Sequence, residues 1–249
     1  MSLSTEAVIA ERSNSMIPLT GRMPSVVELE PEVSPPVALP DRIYGTLKHR
    51  ILTCSMLPGQ RIVEKDLCKE MQVSRTPLRE AFNRLALEGL IVLSPYRGYA
   101  VSPVTVEGYQ ELCELRRIVE AGTAALAAER ATEEDVNGLL SRAETRYTPG
   151  DRATYEGYLR ANSVFHLALV RCTRNRQLEG IVMSALDRHQ RPLYLGLDVG
   201  IDGRASTNEH LEIIDAVRNR QADRARQLMV DHIAKAEGRI VSALRAAGY

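Results

Sequence analysis

Apolar positions first fall into a helical period at Ile43, Leu47, Ile51 and Leu52, which predicts a helix capped by Asp41 and ended by the Pro58-Gly59 turn. A second helical spacing covers 62–71. Gln72 and Val73 then leave room only for a tight turn before Ser74, whose hydroxyl is suited to accept from a free amide of the next helix. In that third helix Leu78, Phe82 and Leu85 recur at i, i+4 and i+7 as a core-facing stripe, and Pro77 falls in the first turn, where a missing N–H costs little. Gly89 is a helix stop, and 90–93 and 99–101 read as two short strands around the turn-rich Ser94-Pro95-Tyr96-Arg97-Gly98. Helix, tight turn, helix and hairpin in that order predict a winged helix-turn-helix.

After residue 102 strand-type alternation stops. Thr105 is a cap candidate for a long helix over 106–130, and Thr132 with Asp135 opens another to about 146. Thr148-Pro149-Gly150 is a break. Further helices are expected over 151–171, 176–195, 206–218 and 223–244, with 196–203 as a loop. The expected fold is therefore mainly α: an N-terminal winged helix-turn-helix with a small β-hairpin wing, then a C-terminal antiparallel bundle of six or seven helices. The domain reading is a disordered tail over 1–40, a DNA-binding unit over 41–102, a linker over 103–106 and an all-helical effector-binding and dimerisation unit over 107–249. The tail holds Pro18, Pro24, Pro31, Pro35, Pro36 and Pro40 with many serines and no sustained period.

Composition changes this picture in one respect. The 249 residues balance 32 basic against 32 acidic side chains, but unevenly: 41–102 carry ten basic and six acidic groups, whereas 1–40 carry two and five. The neutral total hides a basic module, the footprint of a phosphate-binding part. The four cysteines, Cys54, Cys68, Cys113 and Cys172, form no CxxC pair, which points to a reducing compartment and away from a disulfide framework or a thiolate zinc site. No apolar run approaches membrane-spanning length and no signal-peptide core opens the chain, so a soluble, cytoplasmic protein with no membrane partner is expected.

The chemistry of the front module lies in Arg75 and Arg79, which are i, i+4 and share a face other than the apolar stripe. Two guanidiniums near the start of a helix suit the major groove, where arginine pairs with guanine in bidentate fashion. Arg97 and Gly98 stand at the wing tip. A helix pair with a merely solvated arginine face is the bland alternative. It fits less well once capped helix and wing stand in register.

These motifs carry a resemblance. Pro58-Gly59-Gln60-Arg61-Ile62, Val73-Ser74-Arg75-Thr76-Pro77-Leu78-Arg79-Glu80-Ala81, Glu88-Gly89-Leu90 and Arg97-Gly98 resemble the winged helix of the GntR family of bacterial transcription regulators. The resemblance covers about 41–103. It implies that Lys65, Ser74, Arg75, Thr76, Arg79 and Gly98 lie against double-stranded DNA. It also implies a homodimer on a near-palindromic operator, because one such unit reads a half-site.

In the rear module attention falls on histidines. Asn162 and His166 are i, i+4 on a face flanked by Ala161, Phe165 and Leu169; His210 precedes Leu211, Ile214 and Val217, in the first turn of its expected helix; His232 lies beside Met229 and Ile233. Three imidazoles from three helices can converge inside a bundle and ligate a metal, although buried histidines satisfied by hydrogen bonds are the commoner outcome. Leu115-Arg116-Arg117-Ile118-Val119-Glu120, Phe165-His166-Leu167-Ala168-Leu169, Glu209-His210-Leu211-Glu212-Ile213-Ile214-Asp215-Ala216 and Met229-Val230-Asp231-His232-Ile233 resemble the FCD-type effector domain of the FadR branch of the same family. The resemblance implies a divalent ion on His166, His210 and His232, zinc foremost with nickel, manganese or iron as alternatives. Asn162 stands where an aspartate is common, and an amide oxygen brings no charge. Open positions on the ion would accept a small carboxylate effector, with Arg116 as second anchor through its guanidinium fork. The alternative for Arg116 is a surface or intersubunit ion pair with Glu120. The function expected is a DNA-binding regulator, a repressor relieved by a metabolite. A dimeric architectural DNA binder without effector is the runner-up, and a metal-dependent enzyme the least favoured.

Overall fold

The computed structural model describes residues 38–94, 98–141, 147–148, 151–200 and 203–249. Three helices and a small sheet come first: α1 (Leu39–Leu52), β1 (Arg61–Ile62), α2 (Glu64–Met71), α3 (Arg75–Leu87), β2 (Ile91–Ser94) and β3 (Gly98–Val101). Ile43, Leu47 and Ile51 from α1, Leu67 from α2 and Leu78, Phe82 and Leu85 from α3 close one core with Leu90, Ile91 and Val101. Phe82 packs against Tyr99 of β3, ring centroids 4.6 Å apart and planes tilted by 49°. Gly89 (φ +72°) ends α3 in a Schellman arrangement: its N–H donates to the Ala86 carbonyl and that of Leu90 to the Leu85 carbonyl. A left-handed residue is needed there, which is why glycine occupies it.

The expected winged unit is present, with four local corrections. The sheet has three antiparallel strands in the order β1-β3-β2, because Arg61 and Ile62 pair with Ala100 and Tyr99 instead of opening α2. Asp41 is not the cap of α1. The helix starts earlier, at Leu39 after Ala38, with Pro40 in its first turn, and Asp41 accepts a hydrogen bond from Arg84 at 2.5 Å. Of the stretch expected to lack structure only 38–40 are described, and two of them are helical. Ser74 does occupy the position before α3 with extended backbone angles, but its hydroxyl makes no capping bond.

The remainder is helical: α4 (Val106–Arg130), α5 (Glu133–Leu140), a 3-10 turn (Arg152–Thr154), α6 (Tyr155–Cys172), α7 (Arg176–Asp198), α8 (Gly203–Arg218) and α9 (Ala222–Ala246). The Thr105 hydroxyl accepts from the Gly108 amide, and Thr132 with Asp135 forms a reciprocal capping box. α4 packs most extensively on α9, and α6, α7 and α8 complete the core around them. The expected break at residue 196 does not occur. α7 runs through Pro192 to Asp198, burying Leu193, Tyr194 and Leu197, and tertiary burial overrides the local signal. Because α8 begins at Gly203, His210 sits two turns inside it and not in its first turn. Among the described residues no helix is long and apolar enough to cross a membrane.

Candidate functional site

A small, partly open cavity in the bundle is lined by Arg116, Tyr158, Asn162, His189, Leu193, Ser206, His232, Ala236, Arg239 and Ile240. Beside it α6, α8 and α9 each contribute one buried imidazole. One ligand atom from each of His166, His210 and His232 lies within 4.8 Å of the other two. The rings are 4.7 to 5.3 Å apart between centroids, and Phe165 stacks on His210 at 3.8 Å.

Buried polar atoms ordinarily find partners, so those without one are informative. Among the described residues, Nε2 of His166 and Nε2 of His210 are buried and have no hydrogen-bond partner. His232 gives its Nδ1 proton to Glu209 Oε2 at 2.7 Å, because a carboxylate only accepts, and so keeps a lone pair on Nε2. Burial drives His210 well below the usual imidazole pKa and His232 down to about 4, so both are neutral and able to donate a lone pair. Burial resists the charge on Glu209, but the donors on His232 and Arg239 outweigh it and bring its pKa down to about 2. Three buried imidazoles with unspent nitrogens, two of them beside carboxylates, are a donor set that fits a divalent transition ion. Asn162, one turn before His166 on α6, is buried and lines the same cavity.

The second carboxylate comes from α4. Glu120 Oε2 lies 2.6 Å from His166 Nδ1, close but out of line for a hydrogen bond, while Oε1 accepts from Arg116 Nε at 2.6 Å. Arg116 is only 1 % exposed. Its ion pair with Glu120 is therefore neither on the surface nor between subunits: it is buried within one helix beside the cavity. Burial opposes the Glu120 charge, and the Arg116 guanidinium outweighs it and holds the carboxyl below the usual range. Arg116 Nη1 also donates to His189 Nδ1 at 3.1 Å, and Tyr109 Oη lies 3.3 Å from the same nitrogen. Arginine has no acceptor, so Nδ1 of His189 carries no proton; burial, then the Arg116 charge, pushes its pKa well below the usual value. Sequence reasoning passed over His189, Glu120 as a partner of His166, Glu209 and Arg239. Only Glu209, adjacent to His210, carried a local hint.

On the winged unit Lys65, Ser74, Arg75, Thr76 and Arg79 are all exposed, and Gly98 (φ +76°) is exposed at the start of β3. Arg79 is not free: Nε and Nη2 fork onto Glu64 at 3.0 and 3.4 Å. Arg97 lies outside the described residues.

Several contacts tie the winged unit to the bundle, among them His49 Nε2 of α1, 3.5 Å from Glu156 of α6. Lys48 Nζ of α1 donates to Glu88 at 2.8 Å and to Asp187 of α7 at 2.5 Å. Arg191 Nη1 of α7 donates to the Ser102 carbonyl at 2.6 Å. Cys54, just after α1, is buried in the bundle core, which pushes its thiol up to about 11 and leaves it unreactive.

Comparison with known proteins agrees with this architecture. Residues 39–101 match the family of bacterial regulatory proteins of gntR type, and residues 111–235 match the FCD domain. The Nta operon transcriptional regulator of Aminobacter aminovorans is 30% identical over 190 residues, spanning 76% of this chain and 89% of that one. The HTH-type transcriptional repressor RspR of Escherichia coli (strain K12) is 25% identical over 205 residues, spanning 82% and 90%. The solved structure of E. coli McbR/YncC superposes with a TM-score of 0.68 over 83% of this chain and 99% of that one, at 22% identity. The gntR family match and both relatives are regulators, so the metal-dependent enzyme reading of three histidines is set aside.

Proposed function

The chain belongs to the GntR family of bacterial transcriptional regulators and carries an FCD effector domain, and on that premise we propose that it is a repressor of the FadR branch whose operator binding is set by a small organic acid. The observation that carries this reading is the buried cluster of His166, His210 and His232, of which His232 lines a small cavity with two arginines in its wall. These histidines, with the amide oxygen of Asn162, would hold a divalent ion, zinc foremost. When bound, the ion supplies a Lewis-acid anchor for an anionic oxygen of the effector. Arg116 spends Nε on Glu120 and Nη1 on His189 and keeps further N–H groups for a carboxylate. Leu193, Ala236 and Ile240 offer an apolar wall to a short carbon skeleton. Glu209 orients His232 through its hydrogen bond, and the Glu120 carboxylate lies against Nδ1 of His166.

On the DNA side Arg75 and Arg79 would read base edges in the major groove, with Lys65, Ser74, Thr76 and the wing residues Arg97 and Gly98 on the backbone. A homodimer on a near-palindromic operator is supported by apolar side chains left exposed on α4 (Leu115, Ile118) and α7 (Ile181, Met183). The effector would favour one arrangement of the bundle and so reset the two winged units.

The test is a gel-shift titration on an operator selected from random DNA, with zinc or chelator and a panel of small organic acids. At least one acid should change the affinity in zinc, and not in the His166→Ala variant. Equal affinity under every condition would instead make the chain an architectural binder without an effector. Arg75→Ala and Arg79→Ala should each cost ~1–3 kcal/mol of sequence-specific binding.

A further inference from the structure

α7 contributes no histidine to the trio, yet it touches both the cavity and the winged unit. Asp187 and Arg191 are four residues apart and share one helix face; His189, halfway between, points to the opposite side. On the first face Asp187 holds Lys48, and Lys48 holds Glu88, the residue that caps the C-terminus of α3. Tyr44 closes this group by donating to Glu88 at 2.6 Å. One turn on, Arg191 grips the carbonyl of Ser102, which follows directly on β3. On the second face His189 accepts from Arg116, and Leu193 lines the same cavity.

The energetics set Arg191 apart from an ordinary packing residue. It is only 5 % exposed, its Nε has no partner among the described residues, and the hydrogen bond found for its guanidinium goes to a neutral carbonyl. A buried cation without a carboxylate is costly, and a merely structural role at this spot would be filled more cheaply by an apolar side chain. Pro192 follows directly. It has no N–H for the Arg188 carbonyl one turn back, so the hydrogen-bond ladder of α7 lacks a rung where the two sets of contacts meet.

We infer that the Asp187–Arg191 turn of α7 is the strut that carries the state of the cavity to the reading helix, with Asp187 and Arg191 as positioning residues for DNA binding. A change at Arg116 is felt by His189, turns this segment, and reaches the end of α3 through Lys48 and Glu88 and the wing through Ser102. The inference rests on the reading that the cavity is the regulated site, but its test perturbs the cavity by mutation and needs no ligand.

The experiment is hydrogen–deuterium exchange on the full chain, comparing parent with His189→Gln, each with and without the double change Asp187→Asn and Arg191→Met. His189→Gln should alter exchange in α1 and at the C-terminal end of α3 when the strut is intact, and lose that effect when it is cut. Unaltered exchange at α1 and α3 in His189→Gln, whatever happens in α4, overturns the inference. An equal alteration with the strut intact and cut overturns it as well. If His189→Gln fails to fold, Tyr109→Phe removes one hydroxyl from the same nitrogen and serves as the perturbation. Indifference of the operator gel shift to zinc and acids would count against the proposed effector site while leaving this exchange result standing.

Discussion

Removing the charge of Glu120 should be among the most destabilising conservative changes available in this chain. Arg116 and Glu120 are 1 % and 2 % exposed, so neither can recover hydration when its partner is lost. Breaking a buried ion pair from one side typically costs 3–5 kcal/mol, because the remaining charge is uncompensated. Glu120→Gln keeps an amide oxygen for Arg116 Nε to donate to, which places its cost near ~3 kcal/mol, the low end of that range. The internal control is Arg152–Asp198, an ion pair of similar length at 2.6 Å whose arginine side chain is 64% exposed. Asp198→Asn should cost no more than ~1 kcal/mol, because solvent screens such a pair. Replacing both buried partners, Arg116→Met with Glu120→Leu, should cost far less than the single change, since no orphaned charge remains. Urea unfolding followed by far-ultraviolet circular dichroism, in chelator and at fixed pH, measures all three. A cost for Glu120→Gln no greater than that of Asp198→Asn would refute the reasoning and mean that Arg116 is compensated by something other than Glu120.

Glu64 is an acid on the face proposed to meet DNA, and it accepts both hydrogen bonds of the Arg79 fork; Glu64→Gln should relax base preference at the proposed Arg79 contact, read from selected sequences, while leaving non-specific affinity equal or higher. An unchanged preference would show that Arg79 is aimed without it. His189 has a folded pKa well below its unfolded value of 6.5, so the unfolded chain takes up its proton first and stability falls as pH drops below about 6.5, by at most ~1.4 kcal/mol per pH unit from this group. His189→Gln should shallow the stability–pH slope between pH 6.5 and 5 in chelator, and an identical slope would contradict the assignment. Phe82→Ala empties a fully buried position against Tyr99 and should cost ~3–5 kcal/mol, with loss of DNA binding at temperatures where the parent still binds.

The winged unit is legible in the sequence because its signals are local. Leu78, Phe82 and Leu85 mark a stripe, Gly89 marks a left-handed stop, and the turn-rich stretch after Leu93 marks a hairpin. β1 is not legible: two residues are too few for an alternation, and only pairing with β3 makes Arg61 and Ile62 a strand. The same holds for Asp41, whose partner Arg84 lies 43 residues away. The convergence of His166, His210 and His232 is legible in outline, because each sits among apolar neighbours at helical spacing. The atoms that give the trio its character are not. Glu120 and Glu209 reach histidines on other helices, and His189 has no sequence neighbour that marks it as a partner of Arg116. The burial of Arg116 is not legible either. An arginine in a helix reads as exposed by default, and only the packing of α4 on α6, α7, α8 and α9 buries that face.

Equilibrium dialysis of the chelator-stripped protein against zinc, with metal content read by mass spectrometry, is the most direct test of the histidine trio. A single tightly held zinc ion per chain, lost in His166→Ala and retained in His49→Ala, is the result predicted. A parent protein that leaves dialysis with no more zinc than its His166→Ala variant would contradict it.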